Sequence, residues 1–444
     1  NDKGHRVKPH YPDLVRRYTD STSVVTITGE RILGFDGKKY DEIKPYQLKA
    51  WPESVLVPSD DYTDSHAQEF VAKTKRMSTL QPLELSHFVG MSTEGKLNLK
   101  NGVLDLVTGE LLPHSPRYNF MYVLPHEYHP DGVSELFMDW LADITIHRVD
   151  LMEALLDIMA YALWPKYDDH LFVFLAGEGS NGKSTYINIL RHMIGAENTA
   201  SISFQQLTKN RFSAANLEGK LVNLSGESSG YEIDIEETNR IKELSDGSTI
   251  EVERKGEQGF MMQNRAKLIF SVNTPPHFKD KSHSLARRLL VIPFDKRITD
   301  IDPTMQDRLN AEVSGILPML VRRIQENIKR NKGSFKVHRG GVDAAAAHRI
   351  VLLKGDTVME WAKDHIDHGG EIPMDSYVRV TECFNHYKEW CEKNGFKNSK
   401  NQIQFAKTMV QHYLTNLTEP VKVTKIGGES TRIYRQCRWK EIIK

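Results

Sequence analysis

Apolar residues recur along this chain with two different spacings, and the change of spacing divides it. Over residues 134–163, Phe137, Trp140, Leu141, Ile144, Leu151, Leu155, Ile158 and Leu163 return every three or four positions, which predicts helices. Residues 171–175 (Leu-Phe-Val-Phe-Leu) are instead apolar without interruption, as are 221–224, 268–272 and 289–292. Short, continuously apolar runs are what strands buried on both faces look like, and such strands build parallel sheets. The first run leads into a glycine-rich stretch and then into residues 185–190, which read as helix. A buried strand, a glycine loop and a helix predict an α/β core with a parallel sheet. Helical spacing returns over 305–332, with Ile316, Leu320, Ile324 and Ile328 on one face, and Gly340-Gly341 predicts a hinge.

The two ends have a different character. The first ninety or so residues read as short strands and loops: 23–28 is β-rich, and 31–40 looks like a strand meeting an Asp36-Gly37 turn. Residues 101–112 predict a hairpin around Thr108-Gly109. Near the C-terminus, 358–366, 378–394 and 402–414 predict three helices, and 421–435 predicts a hairpin turning at Gly427-Gly428. Three helices and a terminal hairpin suggest a winged-helix-like domain. The expected division is a β-rich accessory region at 1–95, a segment ending in a helical collar at 96–165, the α/β core at 166–300, a helical extension at 301–350 and the winged-helix-like domain at 351–444.

Composition narrows the setting. At 444 residues the chain is too long for one compact core. No apolar run approaches the roughly 18–20 residues of a membrane span, so no membrane partner and a cytoplasmic location are expected. The opening Asn1-Asp2-Lys3-Gly4-His5 has no signal-peptide pattern and no initiator Met, so a start further upstream is expected. Cys383, Cys391 and Cys437 form a sparse, odd set without CxxC spacing, which predicts buried or half-buried reduced thiols and no structural zinc. Lys and Arg total 59, as do Asp and Glu, so the chain is not a broadly basic coat for nucleic acid and any DNA contact must be local. Residues 401–444, with eight Lys or Arg against three Asp or Glu, are one candidate.

The stretch Gly177-Glu178-Gly179-Ser180-Asn181-Gly182-Lys183-Ser184, followed by Thr185, fits G-x-x-x-x-G-K-[ST] in full. Glycines let backbone N–H groups converge on phosphate oxygens, and the following helix aims its positive end at the same anion. Lys183 can reach the β- and γ-phosphates, and the Ser184 hydroxyl can hold Mg²⁺. ATP with Mg²⁺ is the expected ligand. Hydrolysis also needs a carboxylate, a polar sensor and a cation for the transferring phosphoryl group. The carboxylate should end a strand neighbouring the loop, and 220–227 supplies Glu227, which would orient the attacking water and help hold the metal. Residues 268–273 end in Asn273, whose amide can bond both water and γ-phosphate, although Asn273-Thr274-Pro275-Pro276 is also plain turn chemistry. Arg287 and Arg288 precede the last apolar strand and could reach a neighbouring subunit's ATP; a solvated pair of charges is the alternative.

In this order the elements resemble the superfamily 3 (AAA+) helicases, and most closely the helicase portion of phage, plasmid and poxvirus primase-helicases. The resemblance covers roughly residues 95–300 and, more loosely, the C-terminal domain. Residues 101–110 are similar to the segment before that family's helicase core, and 177–184 match its Walker A motif. Arg211-Phe212 with Asn216-Leu217-Glu218-Gly219-Lys220 resembles its lead-in to Walker B, whose carboxylate position falls on Glu227. Asn273 takes the place of its sensor, and Arg287-Arg288 that of its arginine finger, with Arg288 favoured because it directly precedes the strand. One departure is that a Walker B strand often ends in two acids, whereas Gly226 stands before Glu227 here. Residues 241–257 are similar to the segment leading into a hairpin whose basic tip tracks DNA in the ring channel, so Arg254 and Lys255 are the implied DNA contacts.

The resemblance thus implies an ATP-dependent DNA helicase acting as a homohexameric ring, with ATP hydrolysed between subunits on a DNA strand. It also implies that a primase or polymerase module can precede such a chain. Residues 1–90 offer no carboxylate cluster for nucleotidyl transfer, Asp60-Asp61 reading better as a loop, so no primase activity is expected here. The rival readings are a replication initiator that uses ATP only to assemble on DNA, an AAA+ remodeller of proteins and a small-molecule kinase.

Overall fold

The computed structural model describes residues 10–27, 31–55, 64–78, 95–227, 232–256, 259–353, 355–370, 372–394, 396, 399–415 and 417–440. The chain divides into two compact units, 1–348 and 349–444. No helix among the described residues is long and apolar enough to cross a membrane.

The centre of the first unit is a five-stranded sheet whose strands all run parallel. Its order is Leu289–Pro293, Phe172–Ala176, Lys267–Val272, Val222–Glu227 and Thr199–Ala200. We call the first four the arginine, loop, amide and acid strands, after the residues at their ends. The apolar runs are legible because both faces of each strand are covered. On one face Val173, Leu175, Leu224, Ile269 and Ile292 join a core with Ile187, Leu190 and Met193 of helix Lys183–Ile194. On the other, Phe172, Phe174, Phe204, Phe270 and Phe278 form an aromatic cluster, with Phe204 and Phe270 centroids 5.2 Å apart and Phe174 and Phe204 5.3 Å apart. Each such ring contributes roughly 1.5–3 kcal/mol through burial alone.

The predicted collar helices are Glu135–Ile144 and Val149–Leu163, and the later helical pattern is Met305–Ala311 and Val313–Arg330. Arg323 of the last helix donates to Asp157 and Glu153 of Val149–Leu163, locking the two helices together. Desolvation raises the Asp157 carboxyl above its usual range, against the pull of Arg323 and of the His338 amide. The hairpin around Thr108-Gly109 joins Gly102–Asp105 to Leu111–Leu112, its turn tied by Asp105 Oδ1 accepting from the Val107 and Thr108 amides. A further strand, Lys96–Leu99, pairs with Gly102–Asp105.

The β-rich expectation for residues 1–95 is corrected. Among the described residues, helices Tyr11–Ser21, Pro45–Val55 and Asp64–Ser78 outweigh one three-stranded sheet. The first helix carries Tyr11, Leu14, Val15 and Tyr18 on one buried stripe, the i, i+3, i+4, i+7 pattern, interrupted by charged residues that masked it. Tyr18 meets Trp51 edge-on at 4.8 Å, and Trp51 stacks on Phe70 at 5.7 Å, so three helices share one small core. The Asp36-Gly37 turn lies where expected, with Asp36 Oδ1 accepting from the Lys38 and Lys39 amides. Asp60 and Asp61 lie outside the described residues.

The second unit contains helices Thr357–His365, Val380–Lys393 and Gln402–Thr408 and a hairpin of Val421–Ile426 with Glu429–Arg435, closed at Gly427-Gly428. Trp361, Tyr387, Phe405 and Tyr434 are its largest core side chains, and Cys383, Cys391 and Cys437 are buried beside them. Burial pushes the Cys437 thiol up to about 12, so these sulfurs stay protonated and inert. Truncating the fully buried Trp361 to Ala should cost about 3–5 kcal/mol. Hydrogen exchange should then show lost protection in 357–439 and unchanged protection in 135–194; loss in both stretches would contradict separate cores.

Candidate functional site

The glycine stretch forms the turn between the loop strand and helix Lys183–Ile194. Its geometry explains two of its glycines. Gly182 has φ +88°, the left-handed region that glycine adopts without strain, and it caps the helix. Gly177 is needed for space: a Cβ there would stand 2.3 Å from the Phe294 carbonyl oxygen and 2.5 Å from Asn181 Nδ2.

Asn181 braces the loop from inside. Its Nδ2 donates to the Glu178 carbonyl at 2.6 Å and to the Phe294 carbonyl at 2.9 Å. Its Oδ1 accepts from Lys183 Nζ at 2.9 Å, and the same ammonium donates to the Gly177 carbonyl. Lys183 is thereby folded into the concave side of its own loop, only 4% exposed, and desolvation lowers its pKa from the ordinary lysine value. The Ile298 amide donates to the Ser180 carbonyl at 2.7 Å, so the chain leaving the arginine strand runs across the loop.

A cavity of about 540 Å³ opens over this turn. Ser180, Asn181, Gly182, Lys183, Ser184 and Thr185 line one side, and Ser271, Asn273 and Gly226 the other. Ile298 and Ile301 form an apolar edge. The volume suits a small ligand, and the lining combines a lysine, hydroxyls, an amide and a helix N-terminus. Such a set can hold phosphate oxygens and offer Ser184 to a hard divalent cation.

Asn273 therefore lies in the cavity with the loop. Ser271, two residues earlier on the same strand face, lies there too, and the sequence reading missed it. Its only signal was the period-two alternation of a strand. The amide strand stands between the loop strand and the acid strand, and the acid strand's end still reaches the loop's cavity through Gly226. In register, Gly226 is beside Ser271 and Glu227 beside Val272. The Glu227 backbone ends the strand as expected, and its side chain lies outside the described residues. No carboxylate is found among the described residues lining the cavity. A Cβ at Gly226 would meet nothing within 4 Å among the described residues.

The two arginines differ sharply. They stand at the opposite end of the sheet, where the arginine strand begins. Arg288 is 8% exposed; its Nη1 donates to Ser284 Oγ at 3.0 Å and its Nη2 to Asp246 at 3.3 Å. Arg287 is exposed. The favoured finger, Arg288, is thus committed within its own chain, and Arg287 presents the available guanidinium. Both line a second cavity of about 340 Å³ that also takes in Lys336, Arg339 and His170.

The predicted hairpin is present, pairing Thr249–Val252 with Phe260–Gln263. Lys255 is exposed at its turn. Arg254 does not project as expected: its guanidinium lies 4.6 Å from the Phe260 ring centroid and donates to Glu218.

Two family models match parts of the chain. Residues 63–146 match the family described as D5 N terminal like. Residues 175–288, which include the glycine loop, both strand ends and the arginines, match a family of unknown function, DUF5906. Among solved structures, the chain is similar to an apo form of the NrS-1 C-terminal region at 13% identity and a TM-score of 0.49, covering 96% of this chain and 98% of that one. A second apo structure of that region, residues 305–718, matches at 13% identity and 0.49, over 97% of this chain and 100% of that one.

Proposed function

We propose that this chain is the ATP-driven helicase portion of a phage or plasmid primase-helicase, acting in the cytoplasm on DNA as a hexameric AAA+ ring. The observation that carries the reading is the braced loop, with Lys183 seated in it and Asn273 facing it across the cavity. Matching of residues 63–146 to a D5 N-terminal-like family supports the replication setting.

In this reading the loop amides and Lys183 bind the β- and γ-phosphates, and Ser184 would hold Mg²⁺, which would supply charge neutralisation there. Glu227 takes a proton from water at its carboxylate, Asn273 and Ser271 orient that water by hydrogen bonds, and Arg287 of an adjacent subunit meets the γ-phosphate. Lys255 and Arg254 contact the DNA backbone, giving a neutral protein a locally positive channel. The C-terminal unit acts as a winged-helix-like DNA guide, and no primer synthesis is expected from the chain.

Strand displacement on a forked DNA tests this. The wild type should separate strands with ATP and be stimulated by DNA. ATP hydrolysis that DNA does not stimulate, with no strand separated, would leave an assembling initiator instead. The Gly226 position gives a second check. Gly226→Asp adds a carboxylate at the cavity lining without a clash among the described residues, so half-maximal ATPase should need severalfold less Mg²⁺. An unchanged Mg²⁺ titration would mean that the metal lies elsewhere.

A further inference from the structure

One carboxylate outside the nucleotide cavity has two guanidinium partners from distant parts of the chain. Glu218 follows the turn 213–217 that leads to the acid strand, and its side chain is only 10% exposed. Oε1 accepts from Arg31 Nη1 of the N-terminal sheet at 2.8 Å, and Oε2 accepts from Arg254 Nη2 at the base of the hairpin turn. Arg31 is also 3.4 Å from Glu42, whose carboxylate Lys44 approaches at 3.1 Å. On the hairpin side, Glu253 pairs with Arg211 at 3.3 Å, and Arg254 packs over Phe260.

We propose that Glu218 is a positioning residue that holds Arg254 back from DNA until a phosphate displaces it. The inference rests on the DNA contact of the hairpin proposed above. A phosphodiester offers what Glu218 offers: two oxygens sharing one negative charge, matched to a guanidinium fork. Arg254 can therefore exchange one anion for the other without changing its own chemistry. A half-buried carboxylate left alone would resist that exchange. Arg31 removes the resistance, because it stays on the other oxygen when Arg254 leaves. The N-terminal region thus sets how readily the hairpin engages DNA.

The full chain is tested with fluorescein-labelled oligothymidylate by anisotropy over a range of NaCl concentrations, without nucleotide. Glu218→Gln keeps the shape and removes the charge. It should tighten binding about three- to tenfold and leave the dependence of log affinity on log salt nearly unchanged, because Arg254 reaches a phosphate in both chains. Adding Arg254→Ala should cancel the gain. Arg31→Gln should weaken binding, since Glu218 then serves Arg254 alone. Unchanged or weaker binding by Glu218→Gln, or a gain that survives Arg254→Ala, overturns the proposal. Should Glu218→Gln not fold, Arg31→Gln decides alone, and unchanged or tighter binding overturns it. If Lys255→Ala also leaves binding untouched, the hairpin reading falls. If Lys255→Ala weakens binding while Glu218→Gln does not tighten it, only the role of Glu218 falls.

Discussion

Lys183→Ala is expected to reduce ATP turnover by about 10²–10³-fold, the order of loss when one preorganised donor to developing charge is removed. The side chain is buried at the head of its helix, and its ammonium donates to Gly177 and Asn181 of the loop. Removing it leaves the sheet and the core around helix Lys183–Ile194 intact, so the melting temperature should hardly move. Steady-state ATPase and a thermal melt together check this. Turnover within a few-fold of wild type would remove the loop from the chemistry. The same burial fixes a pH effect. Desolvation lowers the lysine pKa in the free chain, whereas bound phosphates favour the charged form. Nucleotide affinity should therefore be full below the lowered pKa and fall as pH rises through it.

Arg287→Ala is expected to cost more, about 10³–10⁵ in turnover, if this side chain completes a neighbour's site. Its decisive test is mixing. Lys183→Ala and Arg287→Ala chains, each nearly inactive, should regain activity together, because some interfaces then pair an intact loop with an intact arginine. No recovery on mixing would place the arginine in its own subunit or outside the reaction. Arg288→Ala should behave differently. It leaves Asp246 without the partner that, after burial has raised its carboxyl pKa, combines with Ser248 to bring it below the usual value. Loss of one half of a partly buried pair destabilises by roughly 3 kcal/mol, so the variant should melt early. An Arg288→Ala chain that melts normally yet hydrolyses nothing would reverse the assignment.

The loop was legible because its chemistry is local: eight adjacent residues, each with a reason for its type. The four long core strands were legible because burial on both faces strips them of polar residues. Strand order was not. Nothing within 221–227 signals that the amide strand will insert between it and the loop, since that depends on pairing across nearly fifty residues. Ser271 was missed for the same reason, as its neighbour Gly226 is brought in only by register. The choice between Arg287 and Arg288 turned on a short helix, His283–Ala286, which lets the second arginine fold back onto Ser284. The partners of Glu218 lie 187 and 36 residues away, beyond any reading of spacing. In the first N-terminal helix, Tyr11, Leu14, Val15 and Tyr18 carry the helical period, but the charged residues between them hid it.

The arginine strand has a mechanical meaning. It starts directly after Arg287 and Arg288, and it ends where the Phe294 carbonyl takes the Asn181 amide and crowds Gly177. Five strand residues at about 3.3 Å each make a rod of roughly 17 Å, hydrogen-bonded along its length to the loop strand. Such a rod can carry a displacement at one end to the other. In a ring, the state of a subunit's own pocket would set the reach of the arginine it lends, and each firing would cock the next. Sequential rather than independent turnover would then be built into a single strand.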